Sequence, residues 1–117
     1  NGQELATAVQ YKAGVVIIVF NNQMFGTIRM HQEREYPGRV SGTTLHNPDF
    51  AAVARAFGGH GETVAATEDF APALQRALAF TREQSLPAII ELRYDGNLIT
   101  PGATLDTIRK QAVAAGK

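Results

Sequence analysis

The chain has 117 residues, with 11 Lys plus Arg against 11 Asp plus Glu, no Cys, no Trp and 44% hydrophobic residues, which is material for one domain at most. A formal charge of zero, with both signs spread along the chain, gives no electrostatic attraction to nucleic acid or to an anionic membrane surface. The longest apolar run, Val15 to Phe20, is far below the roughly 20 residues of a membrane span, and the lack of cysteine excludes a disulfide framework or a thiolate metal site, so a soluble, cytoplasmic protein is expected.

Glu4 to Lys12 is rich in helix formers and sets Leu5, Ala8, Val9 and Lys12 at helical spacing, which predicts a helix stopped by Gly14. Val15 to Phe20 (VVIIVF) is continuously apolar and mostly β-branched, the signature of a strand buried on both faces in a helix-covered parallel sheet. Asn21-Asn22-Gln23 is a polar stop. Met24 to Tyr36 has moderate helical character that Pro37-Gly38 ends, and Pro37 to His46 reads as a loop. Asn47-Pro48-Asp49 predicts a helix start, with Asn47 as the cap, Pro48 at the first helical position and Asp49 in the first turn. Phe50, Val53, Ala54 and Phe57 follow on one face until Gly58-Gly59.

Glu62 to Ala65 is weakly strand-like. Thr67-Glu68-Asp69 opens a helix carrying Phe70, Leu74, Ala77, Leu78 and Thr81 on one face until Ser85-Leu86-Pro87. Ala88 to Leu92 (AIIEL) is a second buried strand. Residues 97–102 show no pattern, and the tail 97–117 holds a weak helix over Ala103 to Ala115. The alternation of helices and strands predicts an α/β domain: a three-layer, open, mainly parallel sheet with helices on both faces, residues 1–117 forming one partial domain truncated at its N-terminal side. Ligands of such sheets bind beyond the carboxyl ends of the strands. That points to the turn from Asn21 to Thr27 and to the segment after Leu92.

Two adjacent Asn at a strand's carboxyl end offer side-chain carbonyl oxygens, and the turn after them exposes backbone groups ahead of a helix. Oxygen donors of that kind suit Mg²⁺ shared with phosphate oxygens, and a helix N-terminus favours an anion. The plain alternative is a capped turn.

VVIIVFNNQMFGTIRMHQ, preceded by NGQELATAVQYKAG and followed by NPDFAAVARAFG, resembles the carboxyl-terminal cofactor-binding domain of thiamine diphosphate-dependent enzymes, in the acetolactate synthase and benzoylformate decarboxylase branch. The likeness runs from Gly2 to about Asp95. It implies thiamine diphosphate and Mg²⁺ as cofactors, with the Asn22 side chain and the Met24 carbonyl as metal ligands. Asn21 would fix the strand end, and Phe25, Gly26 and Thr27 would wall the diphosphate and thiazolium. Ile28 falls where relatives line the substrate pocket, and an apolar residue there argues against the pyruvate decarboxylase pattern. The family's GDG triplet, whose Asp is the anionic metal ligand, is absent and by spacing belongs upstream of Asn1, so the chain is expected to be the distal part of a catalytic domain. The resemblance further implies a homodimer or homotetramer whose substrate is a 2-oxo acid.

His31, His46 and His60 lack paired-ligand spacing and read as surface or loop residues. Glu33, Arg34 and Glu35 read as a solvated helix face. Glu91, the one acid inside an apolar strand, is expected to be exposed at the strand end or paired with Arg93. Gly58-Gly59-His60-Gly61 reads as helix termination. The polar stretch Gln23 to His46 is positioned to close over a cofactor and is expected to be mobile without one. The functional expectation is the cofactor-binding part of a 2-oxo acid decarboxylase or acetolactate synthase-like carboligase, inactive by itself. The alternative is a non-catalytic, self-associating α/β fragment that binds no cofactor.

Overall fold

A computed structural model describes all 117 residues. The elements in order are helix α1 (Glu4–Gln10), strand β1 (Val16–Asn21), α2 (Gly26–Glu35), α3 (Phe50–Ala56), β2 (His60–Val64), α4 (Thr67–Gln84), β3 (Ala88–Arg93), the short strands β4 (Leu98–Thr100) and β5 (Ala103–Thr104), and α5 (Leu105–Ala114). They group into two compact units, Asn1–Asn21 with Asn47–Arg93 and Asn22–His46 with Tyr94–Lys117. No helix is long and apolar enough to cross a membrane.

The first unit is a three-stranded parallel sheet in the order β1-β3-β2. Val16 lies beside Ala88 and His60 lies on the other side of the same residue, so β3 is central. Because successive side chains alternate across a strand, Ala88 and Ile90 enter one core while Ile89 enters the other. The first core joins them to Val64 and to Ala73 and Ala77 of α4; the second joins Ile89 to Leu5 of α1 and Ala54 of α3. The expected three layers, with helices on both faces of a parallel sheet, are therefore present. Gly61 lets α3 lie directly on β2, since a Cβ there would overlap the Ala51 carbonyl.

The apolar run of β1 is not buried on both faces: Ile17 and Ile18 are 38% and 39% exposed and Phe20 is 71% exposed. The cause is its place at the sheet edge, paired with β3 alone. Asp49, not Asn47, caps α3, accepting the Ala52 amide at 2.8 Å, so Pro48 precedes the cap. Strand β2 begins at His60, earlier than Glu62, and α1 ends at Gln10, ahead of Gly14.

In the second unit α2 packs on α5, and β4 pairs antiparallel with β5 across the Pro101-Gly102 turn. The patternless residues 97–102 thus belong to a short hairpin. Helix α5 starts at Thr104, whose hydroxyl accepts the Thr107 amide while the Thr107 hydroxyl accepts the Thr104 amide.

Candidate functional site

Strand β1 ends in the first unit at Asn21, whose side chain is 5% exposed. Its Nδ2 donates to Glu91 Oε1 at 2.6 Å and its Oδ1 accepts from Asn47 Nδ2 at 2.8 Å. Glu91 is fully buried and also accepts from Thr63 Oγ1 at 3.1 Å and from Arg93. Burial pushes this carboxyl up; the hydrogen bonds from Asn21, Arg93 and Thr63 outweigh it and hold the group below its ordinary value. The expected Arg93 partner is present and the expected exposure is not. Asn21 accordingly fastens the strand end through its side chain.

The second unit opens with Asn22. Its Oδ1 accepts the Met24 amide at 3.2 Å, closing a turn in which Gln23 takes a left-handed φ of 57°. Two backbone bonds tie this turn to the segment opposite: Phe25 N–H to the Thr43 carbonyl at 2.9 Å and Leu45 N–H to the Gln23 carbonyl at 2.8 Å. Gly96 presses on the turn from the other side, where a Cβ would come within 3.0 Å of the Asn22 carbonyl oxygen. This part of the 23–46 stretch carries its own hydrogen bonds.

Asn22, Met24, Gly26 and Thr27 line one cleft of about 270 Å³, together with Tyr94, Leu98 and Ile99. Both places singled out from the strand ends contribute to it. Tyr94, Leu98 and Ile99 carry no individual signal in the sequence; the Pro101-Gly102 turn is the signal that the chain doubles back there. Phe25 and Ile28 are 49% and 54% exposed and do not line the cleft.

The donor set suits an anion with a cation. Helix α2 receives no side-chain cap and has no acid in its first turn, so the amides of Gly26, Thr27 and Ile28 and the positive end of the helix dipole face an incoming acceptor unopposed. Gly26 brings no side chain to this end. An amide oxygen has two lone pairs, and that of Asn22 spends one on Met24, leaving one for a hard cation. No carboxylate lines the cleft. The residues present fit a diphosphate and offer neutral oxygens to Mg²⁺.

The remaining candidates lie elsewhere. His31 and His46 are exposed. His60 Nε2 sits 2.7 Å from Glu62 Oε1, its ring against Phe80, while Arg76 also holds Glu62. Glu33 overturns the expectation of a solvated face. Arg34 and Glu35 are exposed, but Glu33 is fully buried, accepting from Arg29 at 3.1 Å, from the Gly38 amide at 2.9 Å and from both Nε and Nη2 of Arg109 at 2.7 Å. The Arg109 guanidinium, helped by Gly38 and Arg29, prevails over burial and holds this carboxyl at about 2.

Residues 1–92 match the family described as thiamine pyrophosphate enzyme, C-terminal TPP binding domain. The acetolactate synthase large subunit of Haemophilus influenzae is 40% identical over 80 residues, covering 68% of this chain and 14% of that protein. The acetolactate synthase isozyme 3 large subunit of Escherichia coli is 32% identical over 98 residues, covering 83% of this chain and 17% of that protein. The crystal structure of benzoylformate decarboxylase from Polynucleobacter necessarius superposes with a TM-score of 0.68 at 26% identity, over 81% of this chain and 17% of that one. The chain therefore spans 14% to 17% of the length of these relatives. Since the match takes in the parallel sheet, the Asn22 turn and helix α2, the chain belongs to the thiamine pyrophosphate enzyme family, as part of its C-terminal TPP-binding domain.

Proposed function

We propose that this chain is the thiamine diphosphate- and Mg²⁺-binding part of a 2-oxo acid decarboxylase or an acetolactate synthase-like carboligase. The observation that carries the reading is the cleft of the second unit, where the Asn22 turn and the uncapped start of α2 meet. Asn22 Oδ1 and the Met24 carbonyl would supply two of the roughly six oxygens Mg²⁺ requires, the diphosphate and water supplying others. The first-turn amides of α2 would take diphosphate charge, and the Thr27 hydroxyl would donate to it. When bound, thiamine diphosphate supplies the nucleophilic carbon and the electron sink for breaking or making the bond next to a keto group. Phe25 would wall the thiazolium, and Ile28 would give the substrate pocket an apolar lining.

The protein's metal donors in the cleft are all neutral, and such a set holds a divalent cation weakly. On this reading the 117-residue chain by itself is inactive, and the parent is a cytoplasmic homodimer or homotetramer. The test is turnover by the protein that carries this chain, supplied with pyruvate and larger 2-oxo acids. Release of carbon dioxide should require both thiamine diphosphate and Mg²⁺, and Asn22→Ala should raise the cofactor concentration for half-activity about tenfold. Wild-type protein that turns over no 2-oxo acid, or does so without cofactor, overturns the reading.

A second reading, self-association without cofactor, is favoured by one feature of the first unit. Leu5, Val15, Ile17, Val19, Phe50 and Val53 line an apolar groove of about 530 Å³ beside the β1 edge. A charge-free edge strand of this kind invites pairing. A concentration-dependent dimer that takes up no thiamine diphosphate would favour it over the cofactor reading.

A further inference from the structure

We propose that the Glu33–Arg109 ion pair is a positioning element for the cleft: it holds α2 in place on α5 and so sets the affinity for the cofactor diphosphate. The proposal rests on the reading of this cleft as the cofactor site.

Helix α2 contributes Gly26 and Thr27 to the cleft from its first turn, and Leu98 and Ile99 contribute from β4. Strand β4 pairs with β5, and α5 follows β5 without a gap. Helix α2 also touches β4 itself, and the remaining freedom in the separation of the two contributing elements lies in how α2 sits on α5. On the α2 side, with Met30 beside Ile108 and Ala112 in a partly open cleft, the one fully buried residue is a charged one, Glu33. Its carboxylate is gripped by both arms of the Arg109 fork at 2.7 Å, and the Gly38 amide at 2.9 Å anchors the chain leaving the helix.

Apolar contacts are non-directional and let a helix slide or turn at little cost. A bidentate guanidinium–carboxylate pair is directional and fixes both separation and rotation. A buried ion pair adds little net stability over Leu against Leu, although removing one partner alone is costly, so what the pair gains over an apolar contact is register. Glu33 and Arg109 touch neither cleft nor ligand and act through the helix. Their signature is accordingly a change in cofactor affinity with the chemical step intact.

The test uses the protein that carries this chain, with thiamine diphosphate titrated at fixed Mg²⁺ and turnover as the readout. Glu33→Gln should raise the half-saturating cofactor concentration about tenfold and Arg109→Lys by less, with kcat and the substrate KM at saturating cofactor as in wild type. Leu105→Ala loosens the same unit without touching the pair, and should leave half-saturation within about twofold. Unchanged half-saturation in Arg109→Lys as well as Glu33→Gln overturns the proposal, as does an equal shift in Leu105→Ala or a loss of kcat at saturation. If Glu33→Gln does not fold, Arg109→Lys decides. Wild-type protein that takes up no thiamine diphosphate overturns the cofactor reading itself, whereas tight wild-type binding with unshifted variants sinks the positioning role alone.

Discussion

Replacing Glu33 by Gln keeps the shape of the side chain and removes its charge, leaving the Arg109 guanidinium without its buried partner. The folded carboxyl titrates at about 2 against 4.5 for the unperturbed group. A gap of roughly 2.5 units at about 1.4 kcal/mol each corresponds to about 3 kcal/mol of stability carried by the ionised form. The folded value is the depressed one, so this stability is complete above about pH 4.5 and is lost as the pH falls toward 2. A domain of this size has on the order of 5–15 kcal/mol in all, so the loss is large. Urea denaturation followed by far-ultraviolet circular dichroism, run on the wild type and Glu33→Gln at pH 7, 4 and 2.5, isolates the contribution. The variant should be less stable by about 3 kcal/mol at pH 7, with the difference shrinking by about two thirds or more at pH 2.5. A difference that stays constant over this range would refute the assignment of the stability to Glu33 ionisation.

Glu91→Ala deprives Asn21, Thr63 and Arg93 of their common acceptor and should cost about 3 kcal/mol in the same urea assay; a cost below about 1 kcal/mol would contradict a buried network. Gly61→Ala drives a Cβ into the Ala51 carbonyl and forces α3 off β2, so its expected cost is also about 3 kcal/mol, read as a lowered urea midpoint. Thr104→Ala breaks the reciprocal cap of α5 and should cost about 1 kcal/mol, appearing as faster hydrogen exchange in the first turn of that helix; unchanged exchange there would count against the cap.

Much of this architecture is legible in the residues. The apolar face of α4 and the continuous run of β3 give their own elements away, because period and composition are local properties. The burial of β1 is not legible in the same way. Its run VVIIVF records a preference for two covered faces, while exposure depends on which strands flank it, and only β3 does. The burial of Glu33 is illegible for a related reason: nothing within its own helix announces Arg109, which lies 76 residues further on. Asn47 and Asp49 are both competent caps, and the choice fell to Asp49 because Asn47 is drawn to Asn21. The hairpin of β4 and β5 has too few residues for any period to show. The Asn22 turn stands out through its residue types and its place after a strand; the walls formed by Tyr94, Leu98 and Ile99 depend on tertiary folding.

On the proposed reading, the Asn22 turn and the start of α2 hold the diphosphate and its metal. A crystal structure of the protein that carries this chain, grown with thiamine diphosphate and Mg²⁺, would show whether they do. The metal should lie about 2.1 Å from both Asn22 Oδ1 and the Met24 carbonyl oxygen, with diphosphate oxygens on the first-turn amides of α2. A cofactor bound with its diphosphate away from these groups, or a metal that Asn22 does not touch, would rule out this site.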